Sequence, residues 1–507
     1  MSHADPNTPA NVTQTDEQGE HKITLRAQDA RSGNLTYPEM LPMTLSTKDE
    51  PLTPPNRNSK HILILGAGVS GLLTAWMLLD KGYRVTIIAD DWAWSRDFDK
   101  SRMTSQIAGA LWEYPPGGCG LTEIEQAGNG WADIYHYREW AEQSFDFYDQ
   151  YHKNISNSFE KRGHSFGLQM TNLHQFFYKE VTMEGTDDES KKYKALMTLS
   201  SHPQYSFRLG VKLYNTRDDI DREPSFSKIK SGFDKQALTS AYTHRAPIIN
   251  TDKAMAYLMA LVTAKGANME TRKFDVEKEG SIRVFGAKLL EDHKAQLIVN
   301  ATGLGARELA EDKDVYPVRG AVMRVDNTRS GHFRHLNDAF LVPAQKDDLG
   351  HPTKTIFIVP RNDDVLYVGS IIQPHNSDKN LTPDSPEVQQ MWNRAGDFMP
   401  TLHNANMVPM YPFAQGLRPF TKKNAKVRAD DVATFPLVHN YGHGGSGWTL
   451  GVGTARCAVH IAEKLLDATY TEDVVRIDEV NVTDEARAIN DTFYPIIRPL
   501  TPYIPSA

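Results

Sequence analysis

The apolar positions of this chain change their spacing along its length, and each change marks an element. His61 to Leu65 reads as a short apolar strand, Leu72 to Lys81 as a helix, and Tyr83 to Ala89 as the next strand. Between Trp131 and Tyr151 a helix is expected whose Trp140, Ser144, Phe147, Tyr148 and Tyr151 share one face, a stripe suited to core packing. Further on, the pattern predicts a helix from about Asp252 to Lys265, a strand near Asn268 to Phe274 and a buried strand at Gln296 to Asn300. Segments rich in β-formers at Asp363 to Gln373 and Arg418 to Val427 predict a second, mixed sheet. Gly451 to Leu466 reads as a closing helix, with Val452, Ala455, Ala458, Ile461, Ala462 and Leu465 on its apolar side. Residues 1–58, rich in Thr, Asp, Asn and Pro, predict a disordered extension. The mixed-sign run Asp187 to Lys192 predicts a solvated loop, to which no chemistry is assigned.

The first strand–helix junction carries Gly66, Ala67, Gly68, Val69, Ser70 and Gly71, a dinucleotide-binding fingerprint in the context it requires. Gly66 permits the tight turn, Gly68 lets backbone approach a pyrophosphate, and Gly71 lets the helix lie close on the strand. Free N–H groups at the helix start then face the phosphates. Asp90, with Asp91 beside it, ends the second strand where a carboxylate accepts hydrogen bonds from a ribose. A second glycine loop, Gly444, Gly445, Ser446 and Gly447, directly precedes the closing helix. Its helix start suits a second anionic part of a cofactor, a flavin ring among them, and equally suits a tight connection alone. The Ala301, Thr302, Gly303 turn after the buried strand can bring backbone against the same ligand.

Composition narrows the classes. A chain of 507 residues has room for two or three domains, and a net charge of −8 with interspersed signs gives no basic footprint for nucleic acid. Apolar runs such as Ala254 to Ala264 are too short to cross a bilayer, so no membrane partner is expected. Two cysteines, Cys119 and Cys457, make no disulfide framework, and no secretory leader is visible at Met1. The ending Ile504 to Ala507 is unlike a peroxisomal address. A cytoplasmic location is the resulting expectation.

From Lys60 to Leu466 the chain resembles the D-amino-acid oxidase family of FAD-dependent oxidoreductases, in blocks that keep the family's order. After the fingerprint come Thr104 to Trp112, then Asn300 to Gly303 with Val318 to Gly320, then Gly416 to Pro419, and finally His439 to Gly447. The resemblance implies an α/β fold: a Rossmann-like FAD-binding domain (59–128, 246–318 and 429–507, the last with the C-terminal tail) interleaved with a mixed β-sheet substrate domain (129–245 and 319–428). It implies FAD contacts at Thr104, Ser105, Gly109, Ala110, Leu111, Thr302, Gly303 and, with the glycine loop, at Trp448 and Thr449. Phe274 is implied to add backbone at the adenine end.

Arg418, in the Gly-Leu-Arg-Pro segment, matches the arginine with which the family holds a substrate carboxylate, a task for its planar, permanently charged fork. The family's active-site strand matches Thr353 to Pro360, but Thr353 and Phe357 stand where relatives carry tyrosines, so two hydroxyls are missing. The loop from Asp326 to Pro352 reads as an elongated lid. The implied reaction is oxidative deamination of a carboxylate-bearing amine, with hydride passing to flavin N5 and molecular oxygen regenerating the cofactor as hydrogen peroxide forms. Side chain and handedness of the substrate stay open, as do a homodimer, a dehydrogenase using another electron acceptor, and a flavin-binding protein without turnover. His439 and His443 as metal ligands, Cys119 as a covalent flavin link, and Tyr411 and Trp448 as site walls are weaker candidates.

Overall fold

The computed structural model describes residues 21–26, 41–93, 102–115, 130–154, 166–230, 232, 237–328, 335–346, 352–361, 365–469 and 481–493. Cys119 lies outside them. Two large sheets organise the described residues.

The six-stranded sheet runs β18 (Lys426–Ala429), β19 (Leu437–Tyr441), β9 (Leu297–Asn300), β3 (His61–Leu65), β4 (Arg84–Ala89), β8 (Asn268–Thr271). All neighbours are parallel except β18 and β19. Every residue of β3, β9 and β19 is buried, as expected for parallel strands covered on both faces. Ile62 and Ile64 point into the core formed with the helices Val69–Asp80, Thr251–Ala264 and Gly447–Thr469, whereas Leu63 and Leu65 meet the helix Ile282–His293 on the other side. The Gly447–Thr469 helix is admitted to this core by small residues. A Cβ on Gly453 would lie 2.3 Å from the Cα of Trp140, and one on Gly451 would lie 3.2 Å from Leu73 Cδ1.

The nine-stranded sheet runs β16 (Gln373–Pro374), β10 (Val315–Asp326), β15 (Val365–Gly369), β14 (Ile356–Arg361), β11 (Ala339–Val342), β5 (Leu168–Phe177), β7 (Ser240–Ile249), β6 (Lys212–Tyr214), with β17 (Phe413–Thr421) also on β10. It is mixed, since β5 and β11 are parallel and the other pairs antiparallel. Its register lines Gln175, Leu341, Phe357, Gly369 and Val322 in one cross-strand row on one face.

Four expectations are corrected. The segment 1–58 is not wholly disordered: β1 (Lys22–Leu25) pairs with β2 (Met43–Ser46), because Ile23 and Leu25 alternate with polar residues and bury against the main core. Asp80 fastens this hairpin, accepting from the Ser46 N–H (2.7 Å) and Trp76 Nε1–H (2.9 Å) at one oxygen and from the Leu52 N–H (3.1 Å) and Lys265 Nζ (2.7 Å) at the other. Asp187 to Lys192 is no loop: Asp187 caps the helix Asp188–Ser201 by accepting from the Ser190 N–H, and Tyr193, Leu196 and Leu199 give that helix a buried side. The stretch 326–352 is no simple lid, since it contributes β11 to the sheet interior and β12 (Gln345–Lys346) to a hairpin with β13 (Pro352–Thr353). Arg418 to Val427 serves two sheets: β17 ends at Thr421, the chain turns through Asn424 at φ 67, and β18 begins at Lys426. That turn is pinned to the Ile134–Asn154 helix region, Asn424 Nδ2–H donating to Ala132 O and the Tyr137 hydroxyl accepting from the Ala425 N–H, both at 2.8 Å.

Candidate active site

A cavity of about 1050 Å3 opens at the carboxyl ends of β3, β4 and β9 and runs on to the face of the nine-stranded sheet. In an α/β sheet this is where a nucleotide is received. Gly66, Ala67, Gly68, Val69 and Ser70 line it, while Gly71 lies behind them, where a Cβ would stand 2.1 Å from the Gly66 carbonyl oxygen. Gly66 itself sits at φ 107 with room for no Cβ, since one would be 2.5 Å from Ala301 O. Neither the Val69–Asp80 helix nor the Gly447–Thr469 helix carries an acidic residue in its first turn, and the first turns of both border the cavity. Two positive helix ends free of side-chain anions fit a ligand bearing negative groups at two points.

The other nucleotide-end residues gather around them. Asp90 and Asp91 border the cavity from the end of β4, with Asp91 also accepting from the Trp92 N–H (2.8 Å). Thr104 and Ser105 join three elements: the Thr104 hydroxyl donates to Leu417 O (3.0 Å), Ser105 Oγ accepts from the Val69 N–H (3.1 Å), and Ser105 O accepts from Trp448 Nε1–H (2.9 Å). Gly109, Ala110, Leu111, Thr302, Gly303 and the stretch Gly444, Gly445, Ser446, Gly447, Trp448, Thr449 line the same space. Phe274 also borders it, but beyond the end of β8 at Thr271 rather than within the strand, its ring stacked on Phe285 at 4.7 Å.

A buried relay braces the Thr302 turn. Thr302 donates its N–H (3.2 Å) and hydroxyl (2.7 Å) to Asn300 Oδ1, Asn300 Nδ2–H donates to His439 Nδ1 (3.2 Å), and His439 Nε2–H donates to Asp430 (2.8 Å). Burial and the nearby Lys426 charge push His439 down to about 4, leaving it neutral as this tautomer requires. Burial alone would raise the Asp430 carboxyl, but His439 and Arg283 outweigh it and hold it well below the usual carboxylate range. His443 pairs instead with the Thr454 hydroxyl at 3.1 Å. The two histidines thus serve separate hydrogen-bond networks, and no metal-holding cluster occurs among the described residues.

At the end of the cavity that meets the nine-stranded sheet, Arg418 lies on β17 opposite Val318. Its Nη1–H donates to Ile371 O (3.1 Å) and its Nη2–H to Ser370 Oγ (2.7 Å), and Gly320 makes its slot, since a Cβ there would be 2.2 Å from Nη1. Two of five N–H donors are thereby used for orientation, leaving others for a ligand. Phe357 packs over Gly109, where a Cβ would come within 2.3 Å of its ring, so the bare glycine and the aromatic wall require each other. Thr353 falls in the β12–β13 hairpin, paired with Gln345, and its side chain lies outside the described residues. Lys354, at φ 57, breaks the expected continuous strand, and Thr355 and Phe357 are the residues that border the cavity from this segment. Trp448 is a cavity wall, whereas Tyr411 packs between Arg102 and Arg324, 4.6 and 5.2 Å from its ring centre.

Several wall residues escaped the sequence reading: Glu113, Gln175, Lys179, Glu189 and Lys192. Glu113 directly follows the Thr104 to Trp112 block, a hint available in the sequence. Gln175, a buried polar residue between the buried Leu173 and Phe177, is the other.

The fold and its glycine-lined cavity define a dinucleotide-dependent α/β oxidoreductase. The chain belongs to the DAO family, FAD dependent oxidoreductase, whose pattern matches residues 61–461. It is similar to a D-amino-acid oxidase of Rubrobacter xylanophilus, 24% identical over 408 residues that cover 79% of this chain and 95% of the relative. A D-amino-acid oxidase of Schizosaccharomyces pombe is 25% identical over 429 residues, covering 80% and 96%. Among solved structures, glycine oxidase from Geobacillus kaustophilus superimposes with a TM-score of 0.54 at 18% identity over 80% of this chain and 95% of that one, a likeness of fold. No helix among the described residues is long and apolar enough to cross a membrane.

Proposed function

We propose that the protein is an amino-acid oxidase that converts a small carboxylate-bearing amine to an imine, which water hydrolyses to an oxo acid and ammonia, while molecular oxygen is reduced to hydrogen peroxide. One observation carries this reading: Arg418, pre-oriented by Ser370 and Ile371, shares a cavity with two helix ends suited to the cofactor's anionic groups. FAD, when bound in this cavity, would supply the two-electron acceptor that such an oxidation needs.

The chain's own residues bind and orient. Gly66 to Ser70 and the first turn of the Gly447–Thr469 helix hold the cofactor's charged groups. Arg418 grips the substrate carboxylate as a fork and so fixes the direction of the α-carbon. Phe357, seated on Gly109, closes the reacting end with an apolar surface that excludes water. Since a phenylalanine stands where a hydroxyl would assist, carboxylate affinity falls more heavily on Arg418. Anaerobic mixing with a panel of D- and L-amino acids tests the reading: bleaching of the flavin absorbance and one hydrogen peroxide per turnover in air are expected. Turnover without peroxide would instead make the enzyme a dehydrogenase.

A further inference from the structure

The wall of the cavity beyond Phe357 carries polar groups that the proposed chemistry does not use. We propose, resting on the amino-acid reading above, that Gln175, Glu113 and Lys192 form a subsite for the end of the substrate side chain, selecting a basic, hydrogen-donating terminus such as an ammonium or guanidinium.

Gln175 anchors the argument. It is 1% exposed, it borders the cavity, and its Oε1 has no hydrogen-bond partner. A buried carbonyl oxygen left without a donor is uncommon in folded proteins, and at a cavity wall it marks the place where a ligand donor fits. The sheet register sets its distance from the reacting end. Gln175, Leu341 and Phe357 are successive members of one cross-strand row, so two strand spacings, roughly 10 Å, separate the outer pair. A side chain as long as that of lysine or arginine covers such a span, and an alanine methyl does not.

Charge supplies the second half. Glu113 and Lys192 form an ion pair at the same wall, with side chains 23% and 12% exposed. The Asp188–Ser201 helix brings Lys192 over β7, where Tyr193 packs on Tyr242, the residue paired with Gln175. Nearer the mouth, Lys179 is bound by Asp187 (3.3 Å) and Glu189 (2.6 Å). Along this wall Glu113, Asp187, Asp188 and Glu189 meet Lys179, Lys191 and Lys192, one carboxylate more than the lysines, a balance that favours a cation. Burial works against the Lys192 charge and pushes it down to about 7. An acidic side chain would meet the Glu113 carboxylate, like charge against like charge, and an aliphatic one would leave the Gln175 carbonyl unmet.

The test compares kcat/KM for lysine, arginine, glutamate, leucine and alanine, in both enantiomers, between the holoenzyme and its Gln175→Leu, Gln175→Glu and Glu113→Gln variants. Dissociation constants from the substrate dependence of the anaerobic flavin-reduction rate accompany each value. A preference of about tenfold or more for lysine or arginine over leucine is expected, with the lysine-to-alanine ratio falling about tenfold in Gln175→Leu and Glu113→Gln and rising in Gln175→Glu. Oxidation of amino acids with no basic preference, a preference for glutamate, or equal losses for every substrate in the variants would overturn the subsite and leave the oxidase reading standing. If no amino acid binds or bleaches the flavin, the oxidase reading fails, and the subsite with it.

Discussion

Two lysine–carboxylate pairs, one in each half of the molecule, show how the same chemistry serves opposite ends. Beneath the nucleotide sheet, Asp80 and Lys265 are 1% and 0% exposed, and Asp80 is saturated by four donors while Lys265 Nζ also donates to Glu50 O (3.0 Å). At the substrate wall, the Glu113–Lys192 pair keeps an open side toward the cavity, next to an amide whose carbonyl is unmet. A saturated pair recovers its desolvation cost internally and acts as a fastening; an open pair leaves capacity that a ligand can take up. The Asp80 site is closed upon itself, and in the proposed reading the Glu113 wall is finished by what binds there.

Breaking the fastening has the largest expected effect. Asp80→Ala strands the buried Lys265 ammonium and frees the hairpin, costing about 3–5 kcal/mol of stability, read as a large drop in Tm; a Tm within a degree or two of wild type would show that the pair fastens nothing. Next comes the substrate anchor. Arg418→Ala is expected to lower kcat/KM by about 2–5 kcal/mol while Tm stays close to wild type, and unchanged saturation kinetics would remove Arg418 from the site. A smaller effect sharpens the contrast through pH. His439 and His443 in the nucleotide half and His244 in the substrate half are each held neutral by burial, at about 4 against an ordinary 6.5. Because the folded values lie below the unfolded one, their stabilisation is complete above pH 6.5 and is lost as pH falls toward 4, on the order of 1–3 kcal/mol each. A Tm that stays flat from pH 7 to 4.5 would contradict these assignments. The smallest change expected is a loss: Phe357→Tyr puts a hydroxyl on the ring tip that already abuts Gly109, and the displaced ring costs about 1 kcal/mol of substrate affinity, read as a higher KM. An unchanged KM would show that the ring tip is not confined by Gly109.

The difference between the halves also governs what could be read from sequence. Gly66, Gly71 and Gly444 were legible because backbone geometry demands them: a positive φ, a helix against a strand, a ring where a Cβ would be. Arg418 was legible only through its neighbours in the Gly-Leu-Arg-Pro segment. By contrast, β11 is a four-residue apolar run with no periodicity to separate it from a loop. Asp187 to Lys192 reads as a solvated charge run because the residues that give the helix its buried side, Tyr193, Leu196 and Leu199, lie beyond it. Gln175, Glu113 and Lys192 lie far apart in the chain, and only the sheet register and the helix above it bring them to one wall. The β1–β2 hairpin was hidden by a polar composition that outweighed two short alternating runs.

The turn from Thr421 to Lys426 has a last consequence. It welds the strand that bears Arg418 to the sheet that receives the nucleotide, and Asn424 and Ala425 are themselves clamped to a third element. Arg418 therefore keeps a fixed bearing toward the glycine-lined end of the cavity, like the stationary jaw of a calliper.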